Sequence, residues 1–144
     1  MIFGLLALII SAIFGGAALY VNVAEQPARL HLDDRALLTE WRPAYKRGAA
    51  MQAPLALAGF VLGLLAWLQS PHAGFLIGAA AIVAPWPWTL IVIKPTNDAL
   101  LASDPEKAGP QTRALIVRWG AVHGVRTALA AIAIAAFLWA CVQC

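Results

Sequence analysis

The ten basic and seven acidic side chains of this chain all fall in two segments, residues 24–51 and 94–126. Around them lie four long apolar stretches: residues 2–23, 51–68, 75–93 and about 122–142. A helix needs about 20 predominantly apolar residues to cross a bilayer, and each stretch is close to that length. With 62% hydrophobic and 12% charged residues, the chain lies far from the profile of soluble domains. The expected fold is therefore an all-α membrane protein: a four-transmembrane-helix antiparallel bundle with a short amphipathic helix in the first charged loop. The four windows use up nearly the whole length, so residues 1–144 read as one domain, with helices over about 2–24, 44–69, 74–94 and 111–143.

Four crossings put both charged segments on one side. The positive-inside rule makes that side cytoplasmic and leaves both termini outside. The net charge of +3 and pI near 9.2 thus express topology and suit anionic lipid headgroups; no nucleic-acid partner is expected. Residues 1–24 lack the basic start of a signal peptide and exceed its usual apolar length, so they read as a retained first helix.

Along the chain, Asn22, Glu25, Gln26 and Arg29 fall at i, i+3, i+4 and i+7, a one-sided polar stripe at the inner end of the first helix. Gln26 and Arg29 read as a helix end meeting water, and Pro27 as a break or kink unless it sits in a new first turn. Asp33 and Asp34 can cap a short helix over 35–41 that keeps Leu37, Leu38 and Trp41 on one side. Arg42, Lys46 and Arg47 read as headgroup anchors, and Gln52 as a helix–helix hydrogen bond. His72, in a turn so short that helices two and three must be neighbours, reads as solvent-exposed. Pro85 and Pro87 predict a kink, with at most one of Trp86 and Trp88 able to line a cavity there. Lys94-Pro95 reads as the end of the third helix, with Thr96, Asn97 or Asp98 able to cap the next turn and Asn97 read most simply as that cap.

On the fourth helix Trp119, His123 and Arg126 stand at i, i+4 and i+7, beside a small-residue stripe of Gly120, Gly124 and Ala128. From 127 to 142 there are 16 uncharged residues, about 24 Å of helix at 1.5 Å each. The hydrocarbon core is about 30 Å thick, so Arg126 belongs at its inner boundary. Asn22, Glu25, Gln52, Lys94 and Asn97 end at a similar level, and a polar pocket between helices one, three and four follows. Singly, His123 reads as a helix-interface hydrogen bond and Arg126 as a snorkelling anchor; together with Asn22 and Glu25 they read as a site. His123, Glu25 and His31 could supply the two-His-one-carboxylate set of non-haem iron, but no ligand pair at metal spacing supports it. Cys141 and Cys144 have the C-x-x-C redox spacing without a relay partner. A transporter would show charged residues at mid-membrane and internal repeats, and neither is present.

Four segments, residues 20–29, 40–48, 89–97 and 118–126, resemble the bacterial branch of the anthrone-oxygenase-like membrane proteins, small four-helix proteins long classed as a domain of unknown function. Pro95-Thr-Asn97 and the Trp-x-x-x-His-x-x-Arg spacing of Trp119, His123 and Arg126 are the most specific pieces, and Asn22 and Glu25 also match. The resemblance implies the bacterial inner membrane and an oxidase or monooxygenase that turns a hydrophobic polycyclic anthrone, reached from the inner leaflet, into a quinone. It implies dioxygen as co-substrate and no haem or flavin; whether a metal takes part is left open. His123 would be the base, with Glu25 orienting it or acting as the base itself, and Arg126 and Asn97 would stabilise oxyanion charge. Asn22, Trp119, Tyr20 and Lys94 would bind substrate. The expected partners are membrane lipid and a hydrophobic small molecule, with assembly as a homo-oligomer or within a larger membrane complex compatible with the sequence. The competing function is a non-enzymatic lipid or quinone binder, or a small structural subunit of such a complex.

Overall fold

The computed structural model describes residues 1–143. Among them, four helices are long and apolar enough to cross a membrane: α1 (Ile2–Arg29), α2 (Asp34–Gln69), α3 (Ala73–Ala102) and α4 (Pro110–Gln143). They form an antiparallel bundle in which α1 and α3 each pack on both α2 and α4. The Met1 ammonium donates to Gln69 Oε1 at 3.1 Å, and His72 Nε2 lies 3.4 Å from Gln143 Oε1. Both described chain ends and the α2–α3 turn therefore meet at the uncharged end.

The amphipathic segment is helical and is capped by Asp33, whose carboxylate accepts from Ala36 N–H at 2.9 Å. It is fused to the second spanning helix. At 36 residues α2 is about 54 Å long, well beyond the roughly 30 Å of hydrocarbon, so its first turns stand outside the bilayer core. Leu37, Leu38 and Trp41 bury completely there, with Ile93, Leu100, Ile116 and Trp119, as a second core below the membrane core.

The membrane half is held by small residues. A Cβ built on Gly78 would lie 2.6 Å from the Phe137 ring, and one on Gly74 would lie 2.7 Å from the Ala136 carbonyl oxygen. A backbone oxygen cannot swing aside, so Gly74→Ala should force α3 and α4 apart. We expect a loss of about 1–3 kcal/mol, measured as a lower midpoint of unfolding in micelles. Gly16→Ala, where nothing lies within 4 Å, should hold or gain stability.

Several expected helix ends are corrected. Pro27 does not break α1: a π-helical turn over Val21–Glu25 precedes it, and the helix runs on to Arg29. Pro95 does not end α3 either, because a second π turn over Thr89–Ile93 leads into a helical segment Lys94–Ala102. Proline fits these positions because it opens a new first turn, where its missing N–H costs nothing. Asn97 is consequently a buried residue inside α3 and not a cap. Arg42 turns away from lipid to donate to the carbonyls of Leu101 and Ser103, closing the C-terminus of α3. His72 is half-buried: it caps the first turn of α3 by accepting from Gly74 N–H and packs edge-on against Trp139. The Cys141/Cys144 pairing lies outside the described residues, because Cys144 is not among them.

Candidate functional site

At the charged end the bundle encloses a chamber of about 50 Å³ between α1, α2 and α4. Its polar lining is Glu25 and Arg29 from α1, Tyr45 and Gln52 from α2, and Trp119, His123 and Arg126 from α4. Ala49 on α2, with Gln52 and Arg126, also lines a larger, mainly apolar cavity of about 170 Å³. That cavity lies between α2 and α3 and reaches the bundle surface at the exposed Trp86 and Leu90. Trp86 lines it while its indole N–H donates to Ala53 O at 3.2 Å; Trp88 instead donates to Val122 O on α4 at 3.0 Å. The third side of the expected pocket is therefore corrected: α2, not α3, walls the chamber. The extra residue of the π turn in α3 rotates everything beyond it by roughly 100°.

The approach of α1 to α4 sets the geometry. Gly120 leaves room for the Gln26 amide, which a Cβ at Gly120 would meet at 2.6 Å. Gln26 Nε2 donates to Ile116 O at 2.9 Å, and one turn further Asn22 Nδ2 donates to Gly120 O at 2.9 Å. Gln26 and Arg29, expected at a water-facing helix end, are instead 6% and 4% exposed. The small-residue stripe on α4 lets their side of α1 bury against it.

Because its amide nitrogen is committed to Gly120, Asn22 presents Oδ1 to His123 Nδ1 at 3.0 Å and to the Thr127 hydroxyl at 2.8 Å. An amide oxygen can only accept, so Nδ1 of His123 carries the proton. That leaves the Nε2 lone pair free. His123 is 3% exposed and its ring lies 5.0 Å from that of Trp119. The orienting contact thus comes from Asn22. Glu25, also on the chamber wall, is held by an ion pair with Arg29, whose guanidinium bonds Glu40 at 3.0 Å as well.

Arg126 donates to Gln52 Oε1 at 2.8 Å and stacks over the Phe14 ring at 5.6 Å. No carboxylate pairs with it among the described residues, and its buried Nε has no partner. Asn97 stands one layer behind: its amide donates to the Tyr45 hydroxyl at 3.1 Å, and Tyr45 stacks on Trp41 at 5.0 Å. Tyr20 lies on a neighbouring surface groove between α1 and α2. Lys94 is exposed, pairs with Asp98 at 2.5 Å and lines neither space. The structure therefore brings together Asn22, Glu25, Trp119, His123 and Arg126, with Asn97 behind Tyr45, and separates Lys94 from them. It adds Arg29, Tyr45 and Gln52. Among the described residues no group of three His, Cys, Asp or Glu could hold a metal ion.

A family model described as anthrone oxygenase matches residues 41–136, well over half of the chain. That segment carries α2, α3 and the Trp119–Arg126 stretch; Asn22, Glu25 and Arg29 precede it. No curated protein and no solved structure matches.

Proposed function

The chain belongs to the anthrone oxygenase family, and on that premise we propose that it oxidises a flat, hydrophobic ketone of the anthrone class to the corresponding quinone with dioxygen. A membrane oxygenase-like function holds at the level of the family. The single observation that carries the finer reading is His123, held through Nδ1 by Asn22, on the wall of a chamber that adjoins an apolar cavity reaching the bundle surface.

The chemistry needs little from the protein. The methylene of an anthrone is acidic because its carbanion is also a phenolate-type anion. His123 Nε2 takes one methylene proton. The carbanion then forms a C–O bond with dioxygen, and protonation gives a hydroperoxide. Loss of the second methylene proton with cleavage of the O–O bond leaves the new carbonyl and one water. Carbon loses four electrons and dioxygen gains them, so the step balances without another reductant. Arg126, at the junction of cavity and chamber, supplies positive charge beside the developing anion.

The apolar cavity is comparable to the roughly 150 Å³ void that takes up benzene. It receives one edge of the substrate while the rest stays in lipid. The charged end would face the cytoplasm of a bacterial inner membrane, so substrate would enter sideways from the inner leaflet.

The test is purified protein in micelles with an anthrone and dissolved oxygen, expecting one quinone per dioxygen consumed. Absence of protein-dependent quinone would overturn the proposal. Ala49→Leu, which fills the junction between cavity and chamber, should lower the rate on the order of 10²-fold through misplacement of the reacting edge, with unfolding behaviour unchanged.

A further inference from the structure

The chamber is too small for an aromatic ring: about 50 Å³, against the roughly 150 Å³ that accommodates benzene. Three of the residues that line it nevertheless hold a buried hydrogen-bond donor with no partner: Arg126 Nε, Arg29 Nη1 and Trp119 Nε1. Buried donors are rarely left unpaired, because each costs the full desolvation of the group. Of the two guanidiniums on the lining, Arg29 is paired with Glu25 and Glu40, and Arg126 has no carboxylate among the described residues. A space of this size, with unpartnered donors around it and the unpaired guanidinium of Arg126 on its wall, fits a small anion rich in oxygen lone pairs.

Resting on the function proposed above, we infer that this chamber is the dioxygen pocket and that it stabilises the peroxide formed there. The substrate edge lies at the junction lined by Ala49, Gln52 and Arg126, and His123 borders the same chamber. Proton removal and oxygen attack therefore converge on one carbon. When the carbanion gives its electron pair to dioxygen, the new bond joins carbon to the proximal oxygen. The negative charge moves to the distal oxygen, among the Arg29, Trp119 and Arg126 donors. Trp119 and Arg29 thereby gain a role in the reaction: an indole N–H and a guanidinium N–H at the peroxide.

Formate, a redox-inert anion of similar size, is the probe. Indole N–H resonances of the full chain in micelles are recorded during a formate titration, with the Trp119 signal identified by its loss in Trp119→Phe. The Trp119 resonance should move and saturate, and Arg126→Gln should weaken formate binding roughly tenfold, as expected for loss of one hydrogen bond to an anion. A Trp119 resonance that does not respond overturns the receptor, whether or not the protein oxidises anthrones. In turnover, Trp119→Phe should raise the KM for dioxygen several-fold and leave anthrone affinity unchanged, and formate should compete with dioxygen. Competition with anthrone alone would overturn the assignment to dioxygen. If formate binds as expected but no quinone forms in any assay, the proposed function fails while the anion receptor stands.

Discussion

His123→Ala should lower oxygen-dependent quinone formation by about 10²–10⁴-fold, the usual worth of a positioned general base. The ring is held on one side by Asn22 and packs at a tilt against Trp119, so its free nitrogen has a fixed position when substrate arrives. Removing it leaves the α1–α4 contact standing, because Asn22 still donates to Gly120 O and Gln26 to Ile116 O. The variant should therefore fold and still bind anthrone. Its kcat should fall with little change in anthrone affinity, and added imidazole should restore part of the rate. If His123→Ala retains the wild-type rate, His123 is not the base and Glu25 becomes the remaining candidate on the chamber wall.

Arg126→Gln should cost about 10²–10³-fold in kcat, the range found when one donor to a developing oxyanion is removed. Arg126 has no carboxylate to neutralise it among the described residues, and its side-chain hydrogen bond goes to the neutral amide of Gln52. Its charge is thus available to a ligand. Arg126→Lys keeps that charge but loses the Nε donor, so its rate should lie between wild type and Arg126→Gln. A Lys variant as slow as the Gln variant would mean that directed hydrogen bonds outweigh charge at this position. Equal, wild-type rates in both would exclude Arg126 from the reaction.

Much of this architecture is visible in the residue order, because bilayer physics makes strong demands on composition. The confinement of charge to two segments fixes the number of spans, and the spacing of Trp119, His123 and Arg126 places them on one side of α4. What the order hides is rotation. Period-based reasoning carries a face forward at 100° per residue, and each π turn adds a residue that resets it. Asn97 looks like a cap in the sequence because Pro95 reads as a helix end; the π turn before it lets α3 continue, and Asn97 bonds Tyr45 in the fold. Gln26 looks like part of a solvated helix end because its burial depends on the missing side chain of Gly120, far away in the chain, and Arg29 because it is paired with Glu40 on the next helix. The sealing role of α2 is hidden as well: the amphipathic segment 35–41 reads as a separate short helix, but it is fused to the second span in one continuous helix.

The distribution of space along the bundle has a mechanical consequence. At the uncharged end, Gly63, Gly74 and Gly78 bring helices into contact with Phe137 and the Ala136 backbone, and a methyl group would clash there. At the other end lie the chamber, the lateral cavity and both π turns. Beyond them the second core around Trp41 and Leu100 closes the bundle again, with Arg42 and Tyr45 tying α2 to α3. The empty space is thus a window between two fastened ends, and its free side is the lateral one at Trp86 and Leu90.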